Sequence, residues 1–97
     1  MPINLKDFSN DLYVVLNALY SHQVKVGDDT YVPLTQQEIA DIIGFSRVKL
    51  NHLLHELILK GYVDLHQGMR GKYLLTSCGL YVVELFEGLI SPQHPEK

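Results

Sequence analysis

The stretch from Thr35 to Gly61 leaves this chain the fewest options. Thr35-Gln36-Gln37-Glu38 has the spacing of a capping box, in which the Thr hydroxyl and the Glu carboxylate each satisfy a free backbone N–H at a helix start. A helix is expected to open at about Gln36, with Ile39, Ala40, Ile42 and Ile43 as its buried face. Gly44 ends it after barely two turns, because glycine takes the left-handed cap conformation without steric cost. Ser46 follows as the N-cap of another helix, with Phe45 before it and Leu50 four residues after it, in position for a hydrophobic staple. Leu50, Leu53, Leu54 and Leu57 bury one side of that helix, and Gly61 is its natural stop.

Around this pair the periodicity changes. From Leu5 to Leu19 the apolar residues recur at steps of three and four, which predicts a first helix near residues 5 to 22, starting at Asn4 or Ser9. Val24 to Val32 places short β-branched pieces around Gly27-Asp28-Asp29, a loop or small hairpin, and Pro33 limits any strand there to an edge. Tyr62 to Gln67 alternates apolar with polar, Gly68-Met69-Arg70-Gly71 reads as a turn, and Lys72 to Leu75 resumes an extended pattern, so two antiparallel strands are expected. Thr76 or Ser77 caps a last helix. Its apolar set, Leu80, Val82, Val83, Leu85, Phe86, Leu89 and Ile90, is too wide for one stripe, so part of it is expected to face something besides its own core. Residues 91–97 hold two prolines and no periodicity and read as a flexible tail. Two short helices with a tight glycine turn, followed by a hairpin, make a winged helix-turn-helix. The expected fold is mainly α with a small β-hairpin and about four helices, in one domain over residues 1–90.

Composition narrows the function. At 97 residues one core is expected, and 46% hydrophobic with 20% charged residues is globular. The formal charge of -3 argues against indiscriminate coating of nucleic acid or acidic membrane. The charge is unevenly spread, however: residues 44–76 hold five cations against two anions, while residues 1–43 hold two against six. One cysteine, Cys78, fits a reducing compartment, no apolar run reaches the roughly 18 residues of a membrane span, and the start lacks a signal-peptide layout, so a soluble cytoplasmic protein is expected.

On the second helix of the pair, Arg47, Val48, Lys49, Asn51, His52 and His55 are not needed for the core. Arg or Lys can donate to guanine O6 and N7, Asn can pair bidentately with adenine, and Val can touch a thymine methyl. Arg47, Val48, Lys49, Asn51 and His52 are therefore the candidate base readers of a double-stranded DNA site. Thr35, Gln36 and Ser46, at helix starts, are candidates for phosphates. The run from Leu34 to Arg47, with Leu50, Leu53, Leu54 and Leu57 and the closing Lys60-Gly61-Tyr62-Val63, resembles the winged helix-turn-helix of bacterial regulators. The nearest resemblances are to the DNA-binding domain of the cyclic-AMP receptor protein family and to the multiple-antibiotic-resistance regulator family, over roughly residues 34–76. The resemblance implies base contact at Arg47, Val48 and His52. The last two depart from the Glu and Arg usual in the receptor-protein family, so that family's operator does not carry over. It also implies backbone or minor-groove contact at Arg70 and Lys72 in the wing. A homodimer built from the first and last helices is implied as well, with Leu12, Tyr13, Tyr20, Tyr81, Phe86 and Leu89 as the candidate interface.

Other chemistries find less support. His52 and His55 lie three apart on one helix, but no carboxylate or thiol stands at ligand spacing from them, so no metal site is expected. A lone cysteine near a helix start is more often packing than a redox switch. No Gly-rich phosphate loop or nucleophile elbow is present, so neither an enzyme nor a cofactor is expected. The readings left are an operator-binding transcriptional regulator, a plasmid or phage replication or partition factor, and a winged helix used for protein–protein contact.

Overall fold

The structure, a computed structural model, describes residues 10–66 and 72–88. The first helix, α1, spans Asn10–Ser21 and buries Leu12, Val15, Leu16 and Leu19, a stripe at the expected steps of three and four. The expected starts at Asn4 and Ser9, the wing tip with Arg70, Leu89 and the tail all lie outside the described residues. The segment after α1 is the hairpin rather than the loop: β1 (Val24–Val26) pairs antiparallel with β2 (Asp29–Tyr31), Val26 opposite Asp29. Gly27, with φ 62°, supplies the left-handed conformation that a two-residue turn needs.

α2 (Gln36–Ile43) carries the complete capping box: Thr35 Oγ1 accepts the Glu38 N–H at 3.1 Å, and Glu38 Oε1 accepts the Thr35 N–H at 2.9 Å. Gly44, at φ 77°, closes the helix, its N–H donating to the Ala40 carbonyl at 2.8 Å. One expectation for α2 fails. Ile39 and Ala40 are buried, but Ile42 is 50% exposed, because on an eight-residue helix it lies one position off the face that meets α1 and the following helix. That following helix, α3 (Arg47–Leu59), is capped by Ser46 and buries Leu50, Leu54 and Leu57. Each such leucine contributes about 1.5–3 kcal/mol by leaving water.

The wing is β3 (Val63–Leu65) paired antiparallel with β4 (Tyr73–Leu75), in the register Val63↔Leu75, Asp64↔Leu74 and Leu65↔Tyr73. Its backbone is bridged to the segment leaving the first hairpin. Val32 and Tyr73 exchange both backbone hydrogen bonds, at 2.6 and 3.2 Å, so the chain leaving β2 is stitched to β4. Beside that seam the ring of His66 stacks on Tyr31 at 4.6 Å, with its Nε2 3.5 Å from Asp29 Oδ2.

α4 (Ser77–Phe86) starts at Thr76, whose hydroxyl accepts the Gly79 N–H at 3.2 Å and donates to the Gly61 carbonyl at 2.6 Å. Its first turn therefore docks on the turn between α3 and β3. Val82 and Val83 are fully buried, Leu80 and Leu85 half-buried, and Phe86 exposed, so among the described residues of the apolar set the most open lies in the last turn of the helix. There Tyr13 donates to Glu87 Oε2 at 2.5 Å, Asn17 donates to the same oxygen at 2.9 Å, and Tyr13 meets the Phe86 ring edge-on at 4.9 Å. Among the described residues no helix is long and apolar enough to cross a membrane.

Candidate nucleic-acid interface

Residues on α3 advance about 100° each around the axis, so the three faces of the helix follow from its core side. With Leu50, Leu54 and Leu57 inward, Val48, His52 and Leu59 point outward, and Val48 is 70% exposed. An apolar side chain this open at the start of a helix is suited to a thymine methyl or another apolar partner. Arg47 and Asn51 share the flank nearer the wing. With His55 they line a groove of about 550 Å³ that continues to Leu65 and Tyr73 in the wing and to Thr35 and Gln36 at the start of α2.

Lys49 is the candidate base reader that the structure turns away. Two residues beyond Arg47, it stands on the opposite flank, where its ammonium pairs with Asp11 of α1 at 2.9 Å and lies 4.3 Å from the centre of the Phe45 ring. Its partners hold α3 against α1 and point the charge away from the groove. Of the expected backbone contacts, Thr35 and Ser46 are exposed, and their hydroxyl oxygens cap α2 and α3 while the hydroxyl protons can still be donated outward. Gln36 differs. Its side chain faces the groove, donating from Nε2 to the Tyr73 hydroxyl at 3.2 Å and accepting at Oε1 from Asn51 Nδ2 at 3.3 Å, so only its backbone keeps the position expected for a phosphate. Lys72 lies at the base of the wing, with its ammonium 5.4 Å from the centre of the Tyr31 ring.

The candidate dimer surface divides as well. Leu12 is 3% exposed and belongs to the core of its own chain, since α1 buries that face against the rest of the fold; it has no surface left for a partner. Tyr13 and Tyr20 are half-buried, their hydroxyls donating to Glu87 and, at 3.5 Å, to Glu84 of α4, while Tyr81 is half-buried and Phe86 is 42% exposed. Burial and the Glu87 carboxylate raise the Tyr13 phenol above its ordinary value, with the Asn17 amide working against them. Among the described residues no three His, Cys, Asp or Glu side chains gather into a ligand set.

Two participants in the groove escaped the sequence reading. Sequence pattern marks His55 as surplus to the core, without a place in a groove, and Tyr73 only as a strand residue. Alternation along β4 could have put the Tyr73 ring inside, but its hydroxyl meets a residue 37 positions away, which no local pattern encodes.

The sequence profile of the Crp-like helix-turn-helix domain matches residues 15–77. No curated protein matches the chain. Among solved structures, the reduced CO-sensing protein from R. rubrum is 31% identical over 69% of this chain and 32% of its own, with a TM-score of 0.60. MepR of S. aureus, solved as a DNA complex, is 28% identical over 87% of this chain and 58% of its own, with a TM-score of 0.67. This chain thus spans about a third of the first and under two thirds of the second. TubR from Bacillus thuringiensis, solved bound to 24 bp of tubC, shares the fold at 21% identity and a TM-score of 0.64, over 93% of this chain and 99% of its own. A capping box at Thr35, a left-handed Gly44, a second helix with an open outer face and a wing thus meet a profile that covers most of the chain, and the chain belongs to the Crp-like helix-turn-helix domain family.

Proposed function

We propose that this protein binds double-stranded DNA sequence-specifically as a homodimer and acts in the cytoplasm as a transcriptional regulator at an operator. The observation that carries the reading is the outward and wing-side surface of α3, where Arg47, Val48, Asn51 and His52 are exposed together in a helix-turn-helix of this family. Their chemistry covers three of the contact types that read a major groove: a guanidinium for guanine, an amide for adenine and an apolar group for the thymine methyl. MepR and TubR, of the same fold, were solved on DNA, which supports the same use of the fold here. One such module buries only about 600–1,000 Å² on DNA, so pairing of two heads is part of the proposal. Tyr20, Tyr81, Phe86 and the half-buried ring of Tyr13, on α1 and α4, are its interface, with Leu89 as a further candidate.

A titration of a specific duplex at several salt concentrations tests the reading. Binding that uses phosphates weakens steeply as salt rises, with a slope of about -0.9 per phosphate neutralised. Affinity that ignores salt would instead favour protein–protein contact.

A further inference from the structure

The groove between α3 and the wing contains a chain of side-chain hydrogen bonds that runs one way. Asn51 Nδ2 donates to Gln36 Oε1 at 3.3 Å, and Gln36 Nε2 donates to the Tyr73 hydroxyl at 3.2 Å. Its last member is the most rigid. Tyr73 is 4% exposed, its backbone is tied on both sides to Val32, and it stands opposite Leu65 in the wing. The first member is an exposed amide on the recognition helix. An asparagine amide has two N–H donors and one carbonyl oxygen, and bidentate pairing with adenine needs the oxygen and one N–H together. With one Nδ2 hydrogen donated to Gln36, the Oδ1 and second N–H of Asn51 are the pair that an adenine edge would need.

We propose that Tyr73 is a positioning residue for sequence reading: through Gln36, its hydroxyl holds the Asn51 amide in the orientation that pairs with adenine. The inference rests on the DNA-binding reading above and deepens it. Tyr73 touches no base. It fixes the distance between α2 and the wing, and Gln36 passes that constraint to the reading helix. This also accounts for Gln36 turning its side chain into the groove instead of outward to a phosphate.

The test compares the preferred duplex with one in which the adenine pair read by Asn51 is replaced. Asn51→Ala is expected to lower the preference between the two about tenfold. Tyr73→Phe keeps the ring in the core and deletes only the hydroxyl, and it is expected to lower the same preference about three- to fivefold, leaving affinity for random duplex and its salt slope unchanged. In the Asn51→Ala background, Tyr73→Phe is expected to have no further effect, because it acts through that amide. Gln36→Met, which removes both bonds at the surface of α2, should reproduce the loss and decides the matter if Tyr73→Phe melts early. Equal weakening on every duplex, or effects of Tyr73→Phe and Asn51→Ala that simply add, would overturn the inference. A wild-type chain with no preference among duplexes overturns the DNA-reading proposal itself, whereas a wild-type preference that survives Tyr73→Phe and Gln36→Met overturns only this one.

Discussion

The guanidinium of Arg47 is a planar fork of donors on an exposed first turn, on the flank of α3 that it shares with Asn51. Arg47→Ala is therefore expected to weaken binding to a specific duplex by about 1–3 kcal/mol and to relax its base preference, measurable by titration against single-base variants. Lys49 carries the same charge two residues on, yet its ammonium is spent on Asp11. Asp11→Ala is expected to change thermal stability by less than about 1 kcal/mol, as exposed ion pairs do, with base preference intact. Gly44 is a different kind of residue. Nothing stands within 4 Å of where a side chain would begin, so Gly44→Ala meets only the cost of its left-handed backbone, about 1–2 kcal/mol in a melting experiment. These cases also mark what a sequence makes legible. Thr35, Gly44 and Ser46 act on neighbours within four positions, so their spacing announces them. The ion pair of Lys49, the exposure of Ile42, the burial of His66 and the reach of the Tyr73 hydroxyl are each set by partners far along the chain.

Elements meet through a few close approaches. α4 docks where Thr76 binds the Gly61 carbonyl, and a Cβ added at Gly79 would lie 2.1 Å from the Tyr62 carbonyl oxygen, a backbone atom that cannot step aside. Gly79→Ala is expected to cost at least about 1–3 kcal/mol and to loosen α4 from the turn it caps, seen as early melting and faster hydrogen exchange in that helix. The other end of α4 is held by Tyr13 and Asn17 on Glu87. Because the folded chain favours the neutral Tyr13 phenol, the unfolded chain ionises first as pH rises. The stability from this contact is full below about pH 10 and falls as pH climbs above it. Tyr13→Phe is expected to flatten that alkaline part of the stability curve. Helix positions and the wing were readable from periods of 3.6 and 2. The seam between Val32 and Tyr73 was not, since a single bridge leaves no alternation to detect.

At the scale of the whole molecule, a net charge of -3 and a DNA-binding role are compatible because the charges are segregated. The segment from Gly44 to Thr76, with α3 and the wing, carries a local excess of three cations, and the acidic segments before and after it include α1 and α4. The Tyr–Glu contacts from α1 to the end of α4 brace the surface proposed for pairing. Phe86, the exposed aromatic at the end of α4, is the residue whose replacement by aspartate is expected to shift a dimer toward monomer in sedimentation without unfolding it. Operator reading by two such heads has a geometric signature. Half-sites should lie about 10 bp apart, or a multiple of that, in inverted orientation. Selection of bound sequences from random duplex DNA by the wild-type chain tests this most directly. The expected result is an enriched inverted repeat whose half-sites place G·C and A·T pairs where Arg47 and Asn51 reach; recovery of sequences no different from the starting pool would contradict it.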